Sequence, residues 1–111
     1  MELIEKQLTS EEIFDGVVIH LFKDTVLLPD GREAVREVIR HPGAVCVLPV
    51  DSDGNVYFVK QFRYAFDRVT TEAPAGKLEK GEDIKSAALR ELKEETGLSA
   101  KKITYLGEMY T

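Results

Sequence analysis

The stretch GKLEKGEDIKSAALRELKEETGL, residues 76–98, decides how the rest of the chain is read. It carries six carboxylates in 23 residues: Glu79, Glu82, Asp83, Glu91, Glu94 and Glu95. Its second half, SAALRELKEE, is made of strong helix formers, and Gly97 stands where a left-handed C-cap belongs. The pattern predicts a single helix over 83–96. At about 100° per residue, Ile84, Ala88, Glu91, Leu92 and Glu95 share one side. Lys85, Ser86, Leu89 and Lys93 fall on the solvent side. Glu91 and Glu95, one turn apart, therefore continue the apolar line, and Glu94 sits at the edge of the same cluster.

A solvated charged face would account for part of this, with Arg90 and Glu94 as an i,i+4 pair contributing about 0.3 kcal/mol. It does not account for two inward glutamates four residues apart. Like charges at that spacing destabilise a bare helix, and burying them costs more. A divalent cation reverses the sign of the interaction. Hard cations such as Mg²⁺ take carboxylate oxygens, keep several waters and are often completed by substrate phosphates.

Working outward, the 111 residues suit one compact domain, with 43% hydrophobic and 32% charged residues. A net charge of −5 disfavours nucleic-acid binding, which wants a basic face. No apolar run approaches the roughly 18 residues of a membrane span. The N-terminal MELIEKQLTSEE lacks the basic and apolar regions of a signal peptide. Cys46, in the apolar GAVCVLPV, reads as a small buried thiol, and His20 and His41 read as structural. These features point to a cytoplasmic protein.

The first half reads as β structure. GVVIHLFKDTVLL alternates Val17, Ile19 and Leu21 against Val18, His20 and Phe22. PDG at 29–31 is a turn, and REAVREVIRH returns from it as a hairpin partner. GAVCVLPV reads as a buried strand, DSDGN at 51–55 as a hairpin turn, and VYFVKQFRY as the strand that returns beside it. Phe62, Tyr64 and Phe66 read mostly as packing. Residues 67–81 read as a loop, and KKITYLGEMYT after the helix resumes strand character. The order suggests an α+β fold.

At this point the residues reach a resemblance. Gly76, five residues, Glu82, seven residues, Arg90-Glu91-Leu92, one residue, Glu94-Glu95, one residue and Gly97-Leu98 fill all nine fixed positions of a 23-residue pattern. This resembles the Nudix box of the Nudix hydrolases. The flanks REVIRHPGAVCVLPV, VKQFRYAFDRVTTEAPAGKLEKGE and LKEETGL resemble the ADP-ribose pyrophosphatases, from about Leu21 onward. The resemblance implies a mixed β-sheet and helix sandwich over 43–111. Residues 1–42 would form an antiparallel β region, which in that family often mediates domain-swapped homodimers. It also implies that the family pattern continues past Thr111, so a C-terminally truncated domain is expected.

The resemblance further implies hydrolysis of a nucleoside diphosphate linked to another moiety, foremost ADP-ribose to AMP and ribose 5-phosphate, with Mg²⁺ (or Mn²⁺) as cofactor. Glu91 and Glu95 would be the main metal ligands, and Glu94 a third ligand or a water-orienting group. The backbone carbonyl of Ala75 would add another, and Gly76 would let backbone approach the metal. Arg90 would pair with the box carboxylates and orient them. Glu82 would help it, or else serve as a helix N-terminal acid. Arg63 would contact substrate phosphate, with a surface ion pair as the alternative. Glu72 is a further candidate near the metals. Glu108 is not promoted to base, since the family's proposed base glutamate lies in a loop beyond this point. The alternatives are another nucleoside-diphosphate-sugar diphosphatase, or a nucleotide-binding or dimerisation module without turnover.

Overall fold

The computed structural model describes residues 2–111, in two compact units that meet in sequence between His41 and Pro42. The first unit is a three-stranded antiparallel sheet in the order β1-β2-β3. Its strands are β1 (Lys6–Asp15), β2 (His20–Leu27) and β3 (Glu33–Ile39). β1 pairs from Asp15↔His20 to Lys6↔Leu27, with register shifts at Gln7/Thr9 and Glu12/Phe14. β3 pairs as the sequence suggested, from Leu21↔Ile39 to Leu27↔Glu33 across the turn at 28–32. Gly31, at φ 89°, closes that turn by donating to the Leu28 carbonyl at 3.0 Å.

Two expectations for this unit need correction. β1 was not foreseen, because KQLTSEEIFD is polar and all of it is exposed, so no buried alternation marks it. The strand expected from Val17 begins only at His20, because Gly16 donates to the Ile19 carbonyl at 2.8 Å and turns the chain there. Buried in the middle of β2 is Asp24, which accepts from Ser10 Oγ at 2.6 Å and from Arg40 Nη2 at 2.5 Å. Arg40 and then Ser10 hold its carboxyl below the usual carboxylate range, so the buried charge is paired and hydrogen-bonded. Arg40 also lies over the Phe22 ring, 4.4 Å from its centroid.

The second unit contains β4 (Ala44–Cys46), β5 (Val59–Arg63), β6 (Arg68–Glu72), β7 (Ala75–Lys77) and α1 (Ile84–Thr96). β4 pairs antiparallel with β7, and β5 with β6. Here the expected hairpin partnership is corrected. The DSDGN turn forms, with Asp51 accepting from the backbone N–H of Asp53 and Asn55 at 2.9 Å each. Beyond it only the Val50↔Val56 bridge pairs. β5 turns to β6 instead, through a single 3₁₀ turn at Tyr64–Phe66 closed by Asp67 in the left-handed region. The expected loop over 67–81 therefore holds two strands, and the expected strand after the helix is irregular.

α1 begins where Asp83 accepts from Ser86 N–H at 3.1 Å and ends at Gly97, φ 76°, whose N–H donates to the Lys93 carbonyl. It packs on β4 and β7 through Ala87, Ala88 and Leu92, and Pro74 is fully buried. Ile84, expected on this face, is about half exposed one turn before the packed region. Cys46 is exposed, not buried: β4 has one partner strand, and its half-buried residue is the neighbouring Val45. Phe62, Tyr64 and Phe66 are exposed as well.

Candidate active site

The ladder between β4 and β7 explains how the site is laid out. Val47 N–H donates to the Pro74 carbonyl and Leu78 N–H to the Gly43 carbonyl. In an antiparallel pair the bonded positions alternate. The backbone groups of Gly76 therefore face β4, and those of Ala75 and Lys77 face away from it. Accordingly, Ala75 N–H donates to Glu95 Oε2 at 3.4 Å, and the Lys77 carbonyl accepts from Arg90 Nη2 at 3.2 Å. The Ala75 carbonyl belongs to the same outward-facing set.

Gly76 meets the helix at Glu91. A Cβ added at Gly76 would stand 2.1 Å from Glu91 Cδ and 2.2–2.3 Å from its two oxygens. The backbone φ at Gly76 is not positive, so a glycine is required by space and not by dihedral angle. Glu91 is 8% exposed, a carboxylate set into the apolar stripe between Ala87, Ala88 and Leu92.

Arg90 binds this region together. Its Nε and Nη2 each donate to Glu82 at 2.8 Å. Its Nη1 donates to Glu91 Oε1 at 2.7 Å and to Glu94 Oε2 at 3.2 Å. Glu82 also accepts from Glu79 N–H at 3.1 Å. The Arg90 bonds, and then that N–H, hold the Glu82 carboxyl down at about 2, while Arg90 is itself raised, chiefly by Glu82. Of the two readings of Glu82, the structure displays the pairing with Arg90. Glu94 is the most exposed of the three helix glutamates, and Glu95 reaches Gln61 Nε2 at 3.5 Å.

Arg63 and Glu72 form a second charged group. Arg63 donates through Nε to Glu72 Oε2 at 2.7 Å and through Nη2 to Oε1. Thr70 Oγ1 donates to the same Oε2. These bonds, Arg63 first, put the Glu72 carboxyl at about 2. Gln61 and Thr70 were missed by the sequence reading. They are opposite one another in the β5–β6 register, and their polar alternation could not be recognised while 67–81 passed as loop.

Glu91 and Glu94 thus share Arg90 Nη1, whereas Glu95 turns to Ala75 N–H and Gln61. Among the described residues, three ligand atoms lie within 4.8 Å of one another at Glu12, Asp15 and His20, in the first unit. There His20 Nδ1 is 2.5 Å from Asp15 Oδ1, across the β1–β2 register. His20 therefore has neighbours that its isolation in sequence did not reveal.

The second unit thus sets an arginine-bound carboxylate helix against a glycine-bearing strand. The NUDIX domain family model matches residues 40–111, and the nucleoside diphosphate sugar hydrolase N-terminal domain matches 5–39. The chain belongs to the Nudix hydrolases. It is 51% identical over 109 residues to an ADP-ribose pyrophosphatase of Bacillus subtilis, covering 98% of this chain and 59% of that protein. It is 45% identical over 102 residues to a methanol dehydrogenase activator of Bacillus methanolicus, covering 92% and 55%. It is 40% identical over 94 residues to an ADP-ribose pyrophosphatase of Mycobacterium tuberculosis, covering 84% and 45%. A solved structure described as an ADP compounds hydrolase shares the fold, with a TM-score of 0.81 at 24% identity over 96% of this chain and 59% of that one. The chain thus spans about half the length of these relatives. No helix among the described residues is long and apolar enough to cross a membrane.

Proposed function

We propose that this chain carries the cation-binding and phosphate-binding parts of a diphosphatase that hydrolyses ADP-ribose to AMP and ribose 5-phosphate. The observation that carries the reading is the seating of Glu91 on Gly76, with Glu94 and Glu95 on the same helix side. The donor set fits a hard cation, since every candidate is an oxygen: the carboxylates of Glu91, Glu94 and Glu95 and the outward carbonyl of Ala75. Mg²⁺ (or Mn²⁺), when bound there, would polarise the diphosphate oxygens and make hydroxide accessible near neutral pH.

The chain's own residues supply position and charge. Arg90 clamps Glu82 and Glu91 and fixes the rotamer of the latter. Glu94, exposed beside them, orients the attacking water. Arg63 offers its fork to the phosphate, with Glu72 holding it. The water oxygen bonds to one phosphorus as the bridging P–O bond breaks, which leaves AMP and ribose 5-phosphate. We assign residues 1–42 to dimerisation, supported by exposed Phe14, Val35 and Ile39 on the β1–β3 sheet and exposed Val17 in the bend before β2. The whole protein would then be a cytoplasmic homodimer. Other nucleoside-diphosphate sugars are the runner-up substrates, supported by the family match over 5–39.

The test is AMP formation from ADP-ribose and Mg²⁺, with Glu95→Gln beside the unmodified chain. Turnover that collapses in Glu95→Gln while its melting curve holds supports the reading. Equal turnover in the two would remove Glu95 from the site. Binding of ADP-ribose without AMP would favour a nucleotide-binding module. A panel of nucleoside-diphosphate sugars separates the substrates.

A further inference from the structure

The β5–β6 ribbon has two unlike faces. Val59, Gln61, Thr70 and Glu72 are its half-buried positions, and the register pairs them as Val59↔Glu72 and Gln61↔Thr70. The opposite face carries the cross-strand pair Phe62↔Val69, both exposed. Arg63 pairs with Arg68 at the far end, so four register steps separate Arg63 from Glu72. That is about 13 Å of ribbon at strand rise. Arg63 can meet Glu72 only by laying its side chain back along the ribbon, past the Gln61–Thr70 pair. Thr70 is therefore the residue between them, and its hydroxyl is bonded to the Glu72 oxygen that also receives Arg63 Nε.

We propose that Thr70 is a positioning residue for substrate phosphate: its hydroxyl locks Glu72, and Glu72 locks the plane of the Arg63 guanidinium. The inference rests on the reading of Arg63 as a phosphate contact. Glu72 occupies the side edge of the fork, Nε and Nη2. The end edge still has two parallel N–H groups, the geometry that meets a phosphate through two bonds. An arginine held by one edge presents the other in a fixed direction, so less rotamer freedom is lost when the ligand arrives. Without the hydroxyl, Glu72 keeps Arg63 but has one anchor fewer, and the fork swings. The same hydroxyl lies 3.4 Å from the Gln61 carbonyl, and the Gln61 side chain reaches Glu95. One cross-strand pair thus touches both the carboxylate that holds Arg63 and a helix carboxylate.

The experiment compares Thr70→Val, which keeps the β-branched shape, with Thr70→Ser, which keeps the hydroxyl. Two readouts are taken on each. In turnover of ADP-ribose with Mg²⁺, Thr70→Val is expected to raise KM about tenfold with kcat within about twofold, and Thr70→Ser to stay near the unmodified chain. In ¹⁵N NMR, solvent exchange of the Arg63 Nε–H is expected to rise at least about fivefold in Thr70→Val and not in Thr70→Ser. Unchanged exchange in Thr70→Val overturns the proposal, as does a Thr70→Ser variant as impaired as Thr70→Val. Faster exchange with KM unmoved overturns the phosphate role and leaves the ADP-ribose reading standing. If the unmodified chain shows no turnover at all, that reading fails by itself, and the exchange experiment still decides whether Thr70 holds Arg63.

Discussion

Replacing Gly76 by alanine tests the organisation of the site at its tightest point. The new methyl would lie 2.1 Å from Glu91 Cδ, whereas ordinary contact starts at 3.4 Å. The carboxylate would have to retreat by about 1 Å, but Arg90 Nη1 holds it at 2.7 Å, and Leu92 and Ala88 anchor α1 beside it. Either Glu91 leaves Arg90, or the helix lifts from β7. Overpacking of this kind costs about 1–3 kcal/mol. For a domain the size of the second unit, about 2 kcal/mol lowers Tm by roughly 8–16 °C. On the proposed reading of Glu91 as a metal ligand, a displacement of about 1 Å is also far outside metal-bond tolerance, so Mn²⁺ affinity should fall by at least about tenfold. Circular dichroism melts and calorimetric Mn²⁺ titration read the two effects. A double-mutant cycle sharpens them: in a Glu91→Ala background the methyl has nothing to strike, and the added cost should vanish. A Gly76→Ala chain with unchanged Tm and unchanged Mn²⁺ affinity would refute the view that Gly76 exists to admit Glu91.

Three further outcomes follow from the same contacts. Arg90→Lys keeps the charge but loses the fork that spans Glu82, Glu91 and Glu94, so Mn²⁺ affinity measured by calorimetry should drop about 10- to 100-fold. The carboxyls of Glu72 and Glu82 are depressed from 4.5 to about 2, by Arg63 and Arg90 first. Their contribution to stability is thus complete above pH 4.5 and lost as the pH falls through 2. Tm should hold from pH 7 to pH 5 and decline below, and Glu82→Gln should flatten that decline; an acid limb identical in the variant would contradict the pairing. Leu92→Ala should cost about 2–5 kcal/mol in urea unfolding, because Leu92 is 3% exposed at the helix–sheet contact.

The helix, its glycine C-cap and the inward direction of Glu91 were legible in the sequence, because each depends on residues within four positions of one another; the capping role of Asp83, read there as the first helix residue, was not. The DSDGN and PDG turns were legible for the same reason. Strand partnership was not. β4 has β7 as its partner, about thirty residues away, and nothing in GAVCVLPV distinguishes that strand from the nearer VYFVKQFRY. Reading 67–81 as a loop then concealed β6, and with it the face on which Thr70, Glu72, Gln61 and Arg63 meet. Cys46 and the aromatic residues at 62, 64 and 66 were assigned to packing by their chemistry, but exposure depends on what covers a strand.

The sequence by itself determined the family, the helix and which carboxylates lie on its inner side. Those follow from fixed spacing on a single rigid element, where position dictates direction. Only the tertiary structure decided that Gly76 is spaced for Glu91, that Arg90 spends its fork on Glu82, and that Arg63 lies back along its ribbon to Glu72. Each of those joins residues from different elements, or residues brought together by a strand register that local pattern leaves open.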